Sequence, residues 1–306
     1  MPGLAHLCEH LLFTGSRRFP SRDGFLKYIR GHCGTSNAYT VASNACYFFS
    51  INSDYSAIIP LIPTGFHSEG LPPPQRKLSP FEGALQRFAA FFTSPLLRKD
   101  RITNEVKVVE SEYNSNREAD SHRLFQLFKE QAKNHHPWAK FGIGNSKTLT
   151  RDGGQHEYIL QWWQRHYSAS VMRLVIMGRE SLDDLTRLAV NNFSGIPDNN
   201  ESSQLGSTES PWGDDQKGYI TYANSINDTF TMEISFCLES KDEPYKSKPT
   251  TYASRLIMRQ GPGSLHAHLK ERHWINQLSS SLQQPARGFF FLIIKAKLTE
   301  RGFGMY

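Results

Sequence analysis

The chain has 306 residues, 38% of them hydrophobic and 21% charged, and its 35 Lys+Arg exceed its 29 Asp+Glu for a formal net charge of +6. That length predicts one large or two ordinary domains. The thinly spread basic excess, without a Lys/Arg cluster, argues against a nucleic-acid binder, and the longest apolar runs, such as 289–294, are too short to span a membrane.

The first residues lack the charged start and apolar stretch of a secretory signal. Cys8, Cys33, Cys46 and Cys237 form no CxxC pair, which predicts free thiols in a reducing compartment. A cytoplasmic setting is expected, with mitochondrial and peroxisomal ones left open. Cys8 reads equally as an accessible thiol or a buried, inert one.

Taken in chain order, residues 4–13 predict a helix that ends near Gly15, and residues 21–30 a second one, with Ser21 as cap and Phe25, Leu26 and Ile29 as its apolar stripe. Residues 34–51 alternate polar with Tyr, Val and Phe, which predicts two strands and a turn near Ser43-Asn44. From about 54 to 79 the proline density forbids regular helix or central strand. Helical periodicity returns at 82–92, 102–116, 121–133 and 159–167, followed by a short buried strand at 173–178 and a helix at 181–192 capped by Ser181. The polar stretch 199–217 reads as a linker. Beyond it a strand (229–237), a helix (252–258), the turn Gly261-Pro262-Gly263-Ser264, a helix to Arg272 and a strand (289–296) are expected.

The segment that carries chemistry is His6-Leu7-Cys8-Glu9-His10. On a helix, residues three and four apart share a face, so both imidazoles can converge on one ion with Glu9 beside them. A divalent zinc ion there brings the pKa of water to about 7, and a nearby carboxylate can carry the proton. The order is the inverted form of the His-Glu-x-x-His motif. Alone it would arise by chance in roughly 3% of such chains, so it points to a metal site with moderate force, against the simpler alternative of a helix carrying two surface histidines. A third ligand is sought on 102–116, where Glu105 and Glu112 lie seven residues apart and face the same way. Glu112 can be that ligand, and Glu105 can sit behind an imidazole and fix its tautomer.

Pro2-Gly3-Leu4-Ala5-His6-Leu7-Cys8-Glu9-His10-Leu11-Leu12-Phe13 resembles the active-site helix of the insulinase (pitrilysin) family of zinc metallopeptidases. Gly34-Thr35-Ser36-Asn37-Ala38-Tyr39-Thr40, the segment from Glu105 to Glu112, Arg123-Leu124-Phe125-Gln126-Leu127, Lys140-Phe141-Gly142-Ile143-Gly144-Asn145 and the run from Met177 to Leu185 are similar to further family motifs, in the same order. Gly261-Pro262-Gly263-Ser264-Leu265 and Ala286-Arg287-Gly288-Phe289 resemble the start of the next family domain.

The resemblance implies His6, His10 and Glu112 as ligands of one Zn2+ per chain, Glu9 as general base and Glu105 as the catalytic acidic neighbour. It implies Asn37 and Ala38 as the strand edge that pairs with substrate backbone, and Phe125 as part of a pocket beside the scissile bond. His122 stands where the insulin-degrading subgroup tends to have tryptophan.

The implied fold is α+β: a mixed, largely antiparallel sheet with helices packed on one face, followed by an incomplete second copy. The domains expected are 1–198 (catalytic, its first strands missing, with a proline-rich insertion at about 54–78), a linker at 199–217, and 218–306 as the truncated start of the second. The interval from His10 to Glu112 is about 25 residues longer than the family pattern, and the proline-rich stretch reads as foreign sequence of the kind a retained intron would supply. The implied activity is zinc-dependent endopeptidase action on oligopeptides. The partners implied are peptide substrates and the missing carboxy-terminal half or another subunit, with no nucleic acid and no membrane. The alternative is a truncated or non-catalytic relative that binds a peptide or a partner.

Overall fold

A computed structural model describes residues 1–52, 78–150, 153–199, 209–227, 230–239, 247–286 and 288–305. All but the last residue of the proline-rich stretch at 54–78, and most of the first half of the expected linker, lie outside them. The elements in chain order are α1 (Leu4–Leu12), α2 (Gly24–Gly31), β1 (Thr35–Thr40), β2 (Ala45–Ser50), α3 (Pro80–Thr93), α4 (Lys99–Arg117), α5 (Asp120–Glu130), α6 (Ser146–Leu149), α7 (Gln155–His166) and α8 (Leu182–Phe193). There follow β3 (Thr231–Glu239), α9 (Pro249–Ile257), α10 (Leu265–Glu271), β4 (Ile275–Ala286), β5 (Phe289–Leu298) and α11 (Glu300–Phe303).

The chain divides into two compact units that interleave along the sequence. One comprises Met1–Thr40, Ala45–Glu110 and Ile143–Gln204, the other Val41–Asn44, Ser111–Gly142 and Leu205–Tyr306. α4 is a single unbroken helix, and its last turns group with the second unit.

In the first unit α1 buries Leu4, Leu7, Cys8, Leu11 and Leu12 as one stripe, which leaves the face with His6 and His10 less covered. Each fully buried leucine stabilises by about 1.5–3 kcal/mol, so the inward face fixes where the outward face stands. α3 starts cleanly because Ser79 caps it, accepting from the Glu82 N–H at 3.1 Å, and Pro80 fills the first turn, where no N–H is needed. Its Phe81, Phe88, Phe91 and Phe92 join the α1 leucines, Phe25 of α2 and Val109 of α4 in one core. α4 turns Ile102, Glu105, Val106 and Val109 inward, and Glu112 continues that stripe by one turn. β1 and β2 form an antiparallel hairpin with Asn37 opposite Phe48 and Ala38 opposite Tyr47.

The second unit has a three-stranded antiparallel sheet in the order β3-β5-β4. Phe289, Phe291 and Ile293 of β5 pack with Ala132, Trp138 and Trp212, and Phe128 of α5 lies against the same cluster.

This is the expected α+β architecture of helices on antiparallel sheet. Three local expectations need correction. The strand expected at 173–178 is not formed among the described residues, and Val175 and Met177 stand 89% and 90% exposed. An apolar run becomes a strand only where a neighbour takes its N–H and C=O groups. α2 begins after Asp23, which adopts a left-handed φ of 57°, rather than at Ser21. The twelve-residue β4 was not expected at all. Its Ser- and Gln-rich sequence has weak strand preference, and its ladder with β5 makes it a strand. Pro285 is tolerated because β4 is an edge strand among the described residues and its register shifts between Gln283 and Ala286.

Candidate metal centre

The His6 and His10 imidazoles leave the same side of α1, four residues apart, and their Nε2 atoms are 3.2 Å apart. One ligand atom from each of His6, His10 and Glu112 lies within 4.8 Å of the others. Two nitrogens each about 2.1 Å from a tetrahedral zinc ion would stand about 3.4 Å apart, so the imidazole pair already has the separation one ion requires. Two imidazoles with one carboxylate is also the donor set of zinc sites that keep a fourth position open. The residues present therefore fit the group.

Each candidate ligand is held by a different device. The Nδ1 of His6 faces the carbonyl oxygen of Ile143 at 2.8 Å. A carbonyl only accepts, so Nδ1 carries the proton and Nε2 keeps its lone pair for a metal. Two glycines allow that approach. Gly3, with φ 86°, and Gly144, with φ 84°, meet backbone to backbone, and a Cβ on Gly3 would fall 2.2 Å from the Gly144 Cα. Any side chain there would push the Ile143 carbonyl away from His6.

His10 Nδ1 stands 3.7 Å from Glu105 Oε2, and the other Glu105 oxygen stands 3.7 Å from the Arg22 guanidinium. Glu105 is thus behind the imidazole, buried on the inward stripe of α4, and Arg22 faces its charge from the half-exposed side. Glu112 is two helical turns further along the same helix. The continuity of α4 ties the carboxylate that faces the imidazoles to the one that backs them.

Glu9, three residues after His6, is 8% exposed. Its Oε2 accepts a hydrogen bond from the Thr40 hydroxyl at 2.5 Å. On the opposite side of α1, burial pushes the Cys8 thiol up to about 12, opposed by a hydrogen bond to Tyr167 and reinforced by the Glu9 charge. Burial likewise raises the Tyr167 and Tyr47 phenols, which bond to each other. Cys8 is therefore a core side chain and stays a thiol at neutral pH.

Asn37 and Ala38 lie on β1, in the same unit as α1. The two-stranded sheet pairs β1 with β2 alone, so among the described residues the other edge of β1 carries no strand. The Ala38 N–H donates to the Asn37 side-chain oxygen at 2.9 Å. Phe125, on α5 of the second unit, is 43% exposed and sits edge-on to Trp138 with the Lys129 ammonium 5.9 Å from its ring centre.

Sequence reasoning named His6, Glu9, His10, Glu105 and Glu112, and the structure brings His6, His10 and Glu112 to one point with Glu105 behind. It missed the Ile143 carbonyl, Thr40 and Arg22. Gly3 and Gly144 were a signal, since a glycine marks a place where backbone can approach backbone closely. The Thr40 contact had no local signature.

Residues 1–142 match the family described as Insulinase (Peptidase family M16), and residues 155–299 match Peptidase M16 inactive domain. The A-factor-processing enzyme of Saccharomyces cerevisiae is 34% identical over 311 residues, a match that covers 100% of this chain and 28% of the relative. The insulin-degrading enzyme of Mus musculus is 34% identical over 307 residues, covering 99% and 28%. The crystal structure of pitrilysin superposes with a TM-score of 0.82 at 24% identity, over 99% of this chain and 30% of that one, and so supports the fold. The chain spans about 28% of the length of the curated relatives it matches. No helix among the described residues is long and apolar enough to cross a membrane.

Proposed function

With both of its halves matched by domains of peptidase family M16, the chain belongs to the insulinase family, and we propose that it carries the metal centre of a zinc-dependent endopeptidase. The observation that carries this reading is the convergence of His6, His10 and Glu112 beside a buried Glu9. We assign residues 1–198 to the catalytic domain and residues from 218 onward to the start of a second one.

In this reading His6, His10 and Glu112 hold one Zn2+. Zinc there supplies Lewis acidity, polarising a carbonyl and bringing the pKa of water to about 7. Glu9 takes a proton at its carboxylate and returns it to the leaving amine, a role that general-base residues fill with about a 10²–10⁴-fold effect on rate. Glu105 orients His10, and the Ile143 carbonyl orients His6. An extended peptide adds to the edge of β1 that carries no strand among the described residues, where its carbonyl can take over the Ala38 N–H now held by Asn37. Main-chain pairing of this kind reads an extended shape more than a sequence, which suits oligopeptides of varied composition.

The test is cleavage of a quenched fluorescent oligopeptide by the zinc-loaded chain. Turnover should fall at least about 100-fold in Glu9→Gln and on chelation, and return with added zinc. Turnover that survives Glu9→Gln would remove the mechanism.

A second reading rests on the match of residues 155–299 to the domain described as inactive. Here the chain binds a peptide or a partner subunit without cutting it. Saturable binding of the same peptide with no product, at full zinc occupancy, would favour it.

A further inference from the structure

Thr40 closes β1, and its hydroxyl reaches across to α1. It donates to Glu9 Oε2 at 2.5 Å, the short end of the range for a hydroxyl on a carboxylate. Along β1 the exposure alternates: Asn37 and Tyr39 face outward, and Ala38 and Thr40 are half-buried. Two positions apart on a strand means one shared face, so the edge residue Ala38 and the hydroxyl that grips Glu9 are set by the same backbone. Threonine also has few χ1 choices, because two heavy atoms branch from its Cβ. The donor is thus fixed by strand geometry and by its own stiffness, whereas glutamate on a helix has three rotatable bonds and no intrinsic preference for one carboxylate position.

We propose that Thr40 is a positioning residue for the proton-carrying carboxylate: it holds Glu9 by Oε2, assigns proton transfer to Oε1, and ties the base to the strand that receives the peptide. The inference rests on the reading of Glu9 as general base, and it extends that reading to a second element of the fold. The bond has two consequences. Glu9 keeps one position whether or not a peptide is present, so the ordering of the carboxylate precedes substrate binding. A shift of β1 on peptide binding moves the hydroxyl and the carboxylate together.

The test uses the full 306-residue chain with two substitutions. Thr40→Val removes the hydroxyl and keeps the branched shape, and Thr40→Ser keeps the hydroxyl and loses the methyl group. In the zinc-loaded chain, Thr40→Val should lower kcat by about 10–100-fold while KM moves less than about threefold, and Thr40→Ser should recover most of the rate. Zinc stoichiometry should be the same in all three proteins. Crystals of the metal-free chain give a readout that needs no turnover: Glu9 should adopt one side-chain position in the parent and in Thr40→Ser, and a different or multiple position in Thr40→Val. An unchanged Glu9 position in Thr40→Val would overturn the proposal even if the rate fell. A chain that turns over nothing would count against the peptidase reading, and the metal-free crystals would still decide the role of Thr40.

Discussion

Two pairs of histidines, His6 with His10 and His135 with His136, show what separates a candidate ligand from a structural residue. In the second unit, His136 is 3% exposed, and both of its ring nitrogens are committed to backbone. Its Nδ1 accepts from the Trp138 N–H at 3.1 Å, so its Nε2 carries the proton and donates to the Glu209 carbonyl, also at 3.1 Å. No lone pair remains for a metal. In the first unit, His6 gives its Nδ1 proton to a carbonyl, which leaves the Nε2 lone pair directed at its partner imidazole. Adjacent histidines also splay apart along the backbone, whereas histidines four apart on a helix converge. Burial, imidazole chemistry and hydrogen bonding occur in both places, and the tautomer and the spacing decide which pair can bind a metal.

The strongest way to break this contrast is to remove one histidine from each pair. His10→Ala should weaken zinc binding by about 1,000-fold and leave the fold intact, since its imidazole is on the less covered face of α1. His136→Ala should leave zinc stoichiometry unchanged and lower unfolding stability by about 2–3 kcal/mol, because two buried backbone groups lose their partner. Metal titration and denaturant unfolding on both variants check the pair, and zinc loss in His136→Ala would erase the distinction.

A finer test leaves the ligands alone. Gly144→Ala puts a Cβ 2.8 Å from the Leu149 side chain and 2.9 Å from the Gly3 Cα, at a left-handed φ of 84°, and so displaces the Ile143 carbonyl from His6. Zinc affinity should fall by about 10–100-fold, the usual cost of losing the group behind a metal-binding imidazole. An unchanged dissociation constant would show that the carbonyl does not set the tautomer.

The smallest effect concerns a polar anchor of the second unit. Asp120 accepts from the backbone N–H groups of Ile226 and Asn227 and from Arg123. The Ile226 N–H is the largest cause that holds its carboxyl below the usual carboxylate value. A depressed folded-state pKa contributes stability above the unfolded value of about 3.8 and loses it as pH falls through the folded value. Asp120→Ala should therefore be less stable than the parent at pH 7, and the two should converge in strong acid. Zinc binding should not change. A gap between them that widens in acid would reverse the assignment.

The fold was legible where a local period carries it. The apolar stripe of the helix expected at 4–13 and the Ser181 cap are patterns within one or two turns, and those elements stand where the patterns place them, whereas the Ser79 cap that starts α3 at Pro80 was not among the expectations. At 173–178 the sequence carries an apolar run, yet no described strand pairs with it. β4 shows the converse, since Ser279-Ser280-Ser281 has little to suggest a strand and β5 supplies the ladder.

By itself the sequence determined which face of α1 presents His6, Glu9 and His10, and that Glu105 and Glu112 share one side of α4. Helical rotation is set by backbone sterics and is independent of what surrounds it. Only the tertiary structure decided that Glu112 comes within reach of two imidazoles a hundred positions earlier, that a carbonyl between two glycines fixes the His6 tautomer, and that Thr40 grips Glu9. Those contacts depend on how helices and strands pack, and packing is the sum of many weak apolar contacts that no short stretch of residues contains.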